Sequence, residues 1–168
     1  TLALIGDLRF RQRMSVVMTI TFLRERYGLD LAAGSIINLT SRTAKMLKAE
    51  QNILVMKIRR SKIVQIDETG FYVNGRRVWL WIFTTDKDVL IAIRESRGSR
   101  IPKAILGCGY RGTVISDCYS AYELLKKQLP KANFQKCWAH MLREAKYCAD
   151  ENEEGKFAFV TNPIHKFY

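Results

Sequence analysis

Residues 62–85 read KIVQIDETGFYVNGRRVWLWIFTT, and this stretch predicts the centre of a β-sheet. The short, mainly apolar run at residues 63–66 is typical of a buried strand, and an acid, Asp67, follows it directly. Asn74-Gly75 predicts a tight turn between two further apolar runs, because both residues tolerate the positive φ angles that a hairpin needs. We therefore expect a central strand with Asp67 at its carboxyl end and a hairpin packed beside it.

The composition favours a globular protein with a polyanionic partner. The 168 residues are 48% hydrophobic, which is enough to bury a core. Basic residues outnumber acidic ones by 28 to 16, and this excess favours nucleic acid as the partner through counterion release and electrostatic steering. The alternative is a solvated basic surface without a partner. Residues 1–66 carry 12 basic and 4 acidic side chains, so most of the excess precedes Asp67.

The sequence contains no apparent signal peptide and no apolar segment long enough to span a bilayer. We therefore expect no membrane partner and a cytoplasmic protein that is associated with the nucleoid when it is bound to DNA. The four cysteines are too few and too scattered for a disulfide scaffold, so reduced thiols are expected. These cysteines are Cys108, Cys118, Cys137 and Cys148.

Residues 1–61 predict a helical segment ahead of the sheet. Apolar residues from 8 to 27 fall at helical spacings, and Gly28 is placed to end this helix. A second helical pattern extends from residue 36 to residue 54 or 58, with Ser35 as its candidate N-cap. The pair resembles a helix-turn-helix, in which Arg42 and Lys45 would contact DNA. A plain helical hairpin packed on the next domain is the alternative.

Residues 62–168 predict an α/β domain with a mixed sheet. A third strand is expected at residues 89–93, antiparallel to its neighbour because the connecting turn is short. Another short apolar strand, at residues 113–116, is followed by a second acid, Asp117. Helices are expected at about residues 102–106, 118–128 and 139–149, and a last strand near residues 134–137. Strands separated by a helix are normally parallel, so the sheet should be mixed, with helices against it.

Asp67 and Asp117 are the candidate catalytic and metal-binding residues. If the strands that carry them are parallel neighbours, both carboxylates emerge at the same sheet edge, where ligands bind in open α/β sheets. Two hard oxygen ligands suit Mg²⁺ or Mn²⁺, and paired metal ions can cleave a phosphodiester. The alternative is that both residues only form turns at strand ends, which is common for Asp.

Six motifs occur in the order that is typical of one transposase group. They are Asp67-Glu68-Thr69-Gly70, Asn74-Gly75, Trp79-Leu80-Trp81, Ser96-Arg97-Gly98, Ser116-Asp117-Cys118-Tyr119-Ser120-Ala121-Tyr122, and Cys137-Trp138-Ala139-His140 followed by Arg143. In these motifs the chain resembles the insertion-sequence-66 group of DDE transposases. The resemblance implies a ribonuclease-H-like fold, a divalent metal, and strand nicking and joining, with DNA at transposon ends and target as the partner. The resemblance is compatible with a homo-oligomer. It also implies that Asp67 and Asp117 are the first and second catalytic acids.

The resemblance also implies a third acid, a Glu from a later helix, which the sequence does not place. Glu151, Glu153 and Glu154 lie in a polar run that is typical of a solvated loop. Asn162-Pro163 is typical of a helix start, yet only five residues follow it. We therefore expect a core that is incomplete at its C-terminus, lacks the third acid, and by itself is poorly active or inactive.

Further basic residues are candidate DNA contacts. For the arginines, the alternative is that they are exposed and only keep the protein soluble. They are Arg76, Arg77, Arg97, Arg100, His140 and Arg143. Cys137-x-x-His140 has a zinc-like spacing, but a closed zinc site needs four ligands and no second pair exists. Trp79 and Trp81 share one face of their strand and are expected in the core.

Three functional hypotheses follow from the sequence. The first is a transposase core that cleaves and joins DNA. The second is a noncatalytic DNA-binding remnant of such an enzyme, and the third is another ribonuclease-H-like nuclease.

Overall fold

The structure is a computed structural model that describes residues 2–151, with side chains described up to residue 147. The chain divides into two compact units, Thr1–Ile53 and Leu54–Tyr168. The division falls within one helix, so the second unit begins with the carboxyl half of that helix. No helix in the described stretch is both long and apolar enough to cross a membrane.

The first unit is helical. It contains α1 (Leu2–Gly6), a π-helical turn (Asp7–Arg11), α2 (Val16–Tyr27), α3 (Ala33–Met46) and the start of α4 (Lys48–Arg60). Its small core is formed by Ile5, Leu8, Leu23 and Ile36.

Three features of these helices differ from the sequence prediction. The single helix expected from residue 36 to residue 54 or 58 is two helices, α3 and α4, which are separated at Leu47. The helical pattern between residues 8 and 27 is interrupted, because the Ser15 hydroxyl accepts a hydrogen bond from the Met18 N–H (3.1 Å) and caps α2. The predicted cap Ser35 is wrong, since α3 already begins at Ala33 and Ser35 lies inside it. Gly28 does end α2, with φ +63°.

The second unit contains a five-stranded mixed sheet with helices, which confirms the predicted α/β class. Its strands lie in the order β3-β2-β1-β4-β5. Their bounds are β1 Ile63–Val73, β2 Arg76–Thr84, β3 Val89–Arg94, β4 Thr113–Ser116 and β5 Asn133–Lys136. Strands β1, β2 and β3 pair antiparallel, whereas β4 pairs parallel with both β1 and β5. The helices are α5 (Arg100–Leu106), α6 (Ser120–Gln128) and α7 (Trp138–Glu151).

Strand β1 is longer than the sequence predicted. The expectation that Asp67 ends its strand is wrong, because β1 continues to Val73 and pairs with β2 along that whole extension. The short partner β4 pairs with β1 only as far as Gln65. Asp67 therefore lies in the middle of its strand, just beyond the point where the β1–β4 pairing stops.

The core lies on one face of the sheet. Alternate residues of β1, Val64 and Ile66, are buried there, together with Trp81 from the hairpin. Helices α4, α5 and α6 add apolar residues to the same cluster, namely Ile58, Ile105, Leu106, Tyr122 and Leu125. The opposite face leaves Ile63, Ile91 and Ile93 more than half exposed.

Candidate active site

Asp67 lies on β1, and Asp117 directly follows β4, which is the parallel neighbour of β1. The β1–β4 register pairs Gln65 with Ile115. Asp67 and Asp117 each lie two residues beyond this last pair, where the register, if continued, would put them opposite each other on chains about 4.8 Å apart. We call these two residues the carboxylate pair.

The carboxylate pair is turned away from the core. Val64 and Ile66 are buried, so strand alternation puts Asp67 on the other face, where it is exposed. In β4, Ser116 is buried and Asp117 is half-buried. A ligand can therefore reach both carboxylates from solvent.

One oxygen of each carboxylate is held by a backbone N–H. Asp67 Oδ1 accepts a hydrogen bond from the Glu68 N–H (2.9 Å), and Asp117 Oδ1 accepts one from the Tyr119 N–H (3.0 Å). Neither carboxylate forms an ion pair with Lys or Arg among the described side chains. Their negative charge is thus left available for a cation.

Glu68 points to the core face, as strand alternation predicts. Its side chain is only 1% exposed, and burial raises the pKa of its carboxyl group. Its two oxygens accept hydrogen bonds from Arg97 Nε (2.9 Å) and the Tyr122 hydroxyl (2.5 Å). Glu68 is therefore occupied on the far face of the sheet and does not join the carboxylate pair as a third ligand.

Arg97 lies against two aromatic rings while it pairs with Glu68. Its guanidinium carbon is 3.8 Å from the centroid of the Tyr119 ring and 4.8 Å from that of Trp79. Such contacts add attraction between the cation and the faces of the rings. The sequence predicted Arg97 as a phosphate contact, but it gave no signal for these contacts, because the partners are distant in the chain.

Gly70 leaves the space that the aromatic contacts of the hairpin require. A Cβ at this position would lie 3.3 Å from Arg77 Nε and 3.4 Å from the Trp79 ring. Arg77 in turn lies over Trp79, at 4.6 Å from the ring centroid. The predicted core positions of Trp79 and Trp81 are confirmed, with Trp81 fully buried and Trp79 packed at its margin.

The start of α7 is held at the same sheet edge as Asp117. The Cys137 N–H donates a hydrogen bond to the carbonyl of Ser116 (2.7 Å), the residue before Asp117. His140 follows in the first turn of α7, and its buried Nδ1 has no hydrogen-bond partner among the described residues. Cys137 Sγ accepts a weak hydrogen bond from Gln65 Nε2 at 3.8 Å.

The described side chains contain no group of three or more His, Cys, Asp or Glu residues that could hold a metal ion. A zinc site at Cys137 and His140 is therefore not supported in that part of the chain. Two carboxylates nevertheless fit Mg²⁺ or Mn²⁺ in their chemistry, because Mg²⁺ is commonly bound through one or two carboxylates and completes its shell with water and substrate phosphate.

The side chains of Glu151, Glu153 and Glu154 lie outside the described residues, as do Asn162-Pro163 and Cys148. The structure therefore does not test the sequence prediction about the third acid.

The remaining candidate DNA contacts are exposed. Arg76 and Arg77 lie at the hairpin end of β2, and Arg100 begins α5. Arg143 is exposed on α7, with its Nε donating to the carbonyl of Ala139 (3.3 Å). Arg42 and Lys45 are exposed on α3, in the first unit.

Comparison with known proteins gives one match that covers the whole chain. No curated relative matches it. The family model described as "Transposase IS66 family" matches residues 1–168. The order of the motifs and the whole-length match lead to one conclusion: this chain belongs to the IS66 family of transposases.

Proposed function

We propose that this chain is the catalytic core of a transposase, which cleaves and joins DNA at transposon ends with a divalent metal ion held by Asp67 and Asp117. The observation that supports the proposal is the β1–β4 register, whose last pair, Gln65 with Ile115, lies two residues before each acid. The strand order and the mixed pairing are compatible with the ribonuclease-H-like fold that the family resemblance implies.

The residues of the site have separate tasks in this proposal. Asp67 and Asp117 each offer a carboxylate oxygen to the metal, while backbone N–H groups orient the other oxygen. Bound there, Mg²⁺ or Mn²⁺ supplies activation of the attacking oxygen and stabilisation of the leaving oxygen of a phosphodiester. His140, in the first turn of α7, and exposed arginines such as Arg100 and Arg143 contact the DNA backbone.

The helical segment of residues 1–61 is proposed to add DNA affinity. Helices α2 and α3 are joined by the short loop at residues 28–32, and Arg42 and Lys45 are exposed on α3. Both side chains are therefore free of the small core formed by Ile5, Leu8, Leu23 and Ile36. Arg76 and Arg77 extend the proposed phosphate contacts to the tip of the hairpin.

Metal binding is the first test, because it does not depend on turnover. Mn²⁺ affinity is measured by the electron paramagnetic resonance signal of the free ion, without DNA. Asp67→Asn and Asp117→Asn should each weaken Mn²⁺ binding at least tenfold, since each removes an ionic ligand. Asp86→Asn is the matched control, because Asp86 is an exposed acid in the turn between β2 and β3. Equal Mn²⁺ affinity in all four proteins would refute the proposed site.

Nicking of supercoiled plasmid is the second test. Any Mn²⁺-dependent nicking of a plasmid that carries the transposon ends should be lost in Asp67→Asn and Asp117→Asn and kept in Asp86→Asn. DNA binding should survive in all three variants. Equal nicking of a plasmid without the ends would favour a different ribonuclease-H-like nuclease.

One observation favours the noncatalytic alternative. The described residues bring no third acid to the carboxylate pair. A protein that binds DNA but neither binds Mn²⁺ nor nicks either plasmid would support a DNA-binding remnant.

A further inference from the structure

We propose that Arg97 is a positioning residue that links the two metal-binding carboxylates, by bridging Glu68 on β1 and Tyr119 ahead of α6. We call this set of contacts the Arg97 bridge. The inference rests on the proposed function, because it assumes that Asp67 and Asp117 bind a metal ion.

The first half of the Arg97 bridge leads to Asp67. Arg97 Nε donates a hydrogen bond to Glu68 Oε1 at 2.9 Å, and the backbone N–H of Glu68 donates to Asp67 Oδ1 at 2.9 Å. The Glu68 side chain and the Asp67 carboxylate lie on opposite faces of β1. Fixing the Glu68 side chain therefore fixes the backbone N–H that orients Asp67.

The second half leads to Asp117. The guanidinium of Arg97 is 3.8 Å from the centroid of the Tyr119 ring, and the Tyr119 N–H donates to Asp117 Oδ1 at 3.0 Å. Because these contacts connect the short segment between β4 and α6 to β1, movement of one carboxylate relative to the other requires the Arg97 bridge to change.

The bridge is energetically constrained by the burial of Glu68. A carboxylate that is 1% exposed must keep its partners, because a buried charge without a partner is strongly destabilising. Tyr122 on α6 satisfies the second oxygen of Glu68. Glu68 thus has few alternative positions, and Arg97 is held against it.

An arginine is the residue that this geometry requires. Its planar guanidinium can donate in its plane to Glu68 while its face lies against the Tyr119 ring, whereas a lysine ammonium is a point charge on a flexible stem. The side chain of Arg97 is 36% exposed, so a contact with DNA phosphate is the competing role that the test must separate.

The test measures Mn²⁺ affinity without DNA, in the full chain. Residues that support metal ligands typically affect metal affinity by about 10–100-fold, so Arg97→Ala should weaken Mn²⁺ binding by about that factor. Glu68→Gln keeps a side chain of the same shape and should stay within about threefold of the wild type, whereas Glu68→Ala should resemble Arg97→Ala. Arg111→Ala is the matched control, because Arg111 is an exposed arginine of the second unit.

A second variant covers the case in which Arg97→Ala does not fold. Tyr119→Leu removes the ring but keeps the backbone N–H and most of the volume, so it tests the second half of the bridge alone. We expect a loss of Mn²⁺ affinity of about threefold to tenfold, because the contact that holds the Tyr119 segment against Arg97 is removed. A folded Tyr119→Leu variant with wild-type Mn²⁺ affinity would overturn the inference.

The outcomes separate this inference from the proposed function. If Asp67→Asn loses Mn²⁺ binding while Arg97→Ala equals Arg111→Ala, the bridge is wrong and the metal site stands. If Arg97→Ala keeps Mn²⁺ affinity but loses DNA affinity, Arg97 is a phosphate contact and the inference is again overturned. If Asp67→Asn keeps Mn²⁺ binding, the proposed function fails first and the inference fails with it.

Discussion

Gly112→Ala should disturb the start of the β1–β4 pairing and with it the carboxylate pair. A Cβ added at Gly112 would lie 2.7 Å from the carbonyl oxygen of Lys62 and against the Tyr110 hydroxyl. That carbonyl accepts the hydrogen bond from the Thr113 N–H (2.8 Å), where the two strands come together. The backbone itself must therefore move, because the contacted carbonyl cannot rotate away as a flexible side chain can.

The expected cost follows from these contacts. Forcing an extra carbon into a packed site costs about 1–3 kcal/mol, and weakening the hydrogen bond at Lys62 adds about 1 kcal/mol. We therefore expect the free energy of unfolding to fall by about 2–4 kcal/mol. For a domain of this size, Tm should fall by about 4 °C per kcal/mol.

Gly109→Ala is the matched control in the same loop. An added Cβ there meets nothing within 4 Å, so a neutral or slightly stabilising effect of up to about 1 kcal/mol is expected. Urea unfolding of both variants measures the difference, and Mn²⁺ binding tests whether the carboxylate pair is disturbed as well. If Gly112→Ala is as stable as Gly109→Ala, the packing argument at the start of β4 is refuted.

Three further predictions concern the core, the pH dependence and the DNA. Trp81→Ala should lower the free energy of unfolding by about 3–5 kcal/mol, because Trp81 is fully buried and its Nε1 donates a hydrogen bond to the Ser96 carbonyl. Thermal unfolding measures this loss. Trp138→Ala is the control, because Trp138 is half-exposed. Burial raises the pKa of Glu68 above 4.5, so its contribution to stability is full below pH 4.5 and is lost as the pH rises through the folded-state pKa. Glu68→Gln should thus gain stability relative to the wild type as urea titrations move from about pH 4 to about pH 7; a constant difference would contradict this. DNA affinity should fall steeply with salt, and affinity that is independent of salt would exclude phosphate contacts.

The order of strands and helices was predictable because it depends on local patterns. The hairpin at Asn74-Gly75 forms with φ +49° and +74°, as the turn preferences of these residues predict. The end of β1 was not predictable in the same way, since β2 continues to pair with β1 as far as Val73. The start of α3 at Ala33 was not predictable either, because its N-cap residue is Ala32, whose side chain cannot form a capping hydrogen bond.

The candidate site was only partly visible in the sequence. Asp67 and Asp117 could be chosen because each follows a short apolar run. The contacts of Arg97 with Glu68, Tyr119 and Trp79 could not be predicted, because they join segments that are separated by many residues. The need for glycine at positions 70 and 112 could not be predicted for the same reason, because it depends on which atoms approach Gly70 and Gly112 in the folded chain.

The sequence by itself determined the alternation of faces, which puts Asp67 and Glu68 on opposite sides of β1, and it determined the turn of the hairpin. Both are properties of a few consecutive residues and their backbone preferences. Only the tertiary structure decided that β4 pairs with β1 up to two residues before Asp67 and Asp117, and that Glu68 is buried against Arg97. Register and burial depend on how distant segments pack, because a strand acquires its partners and its solvent exposure only when the whole sheet assembles.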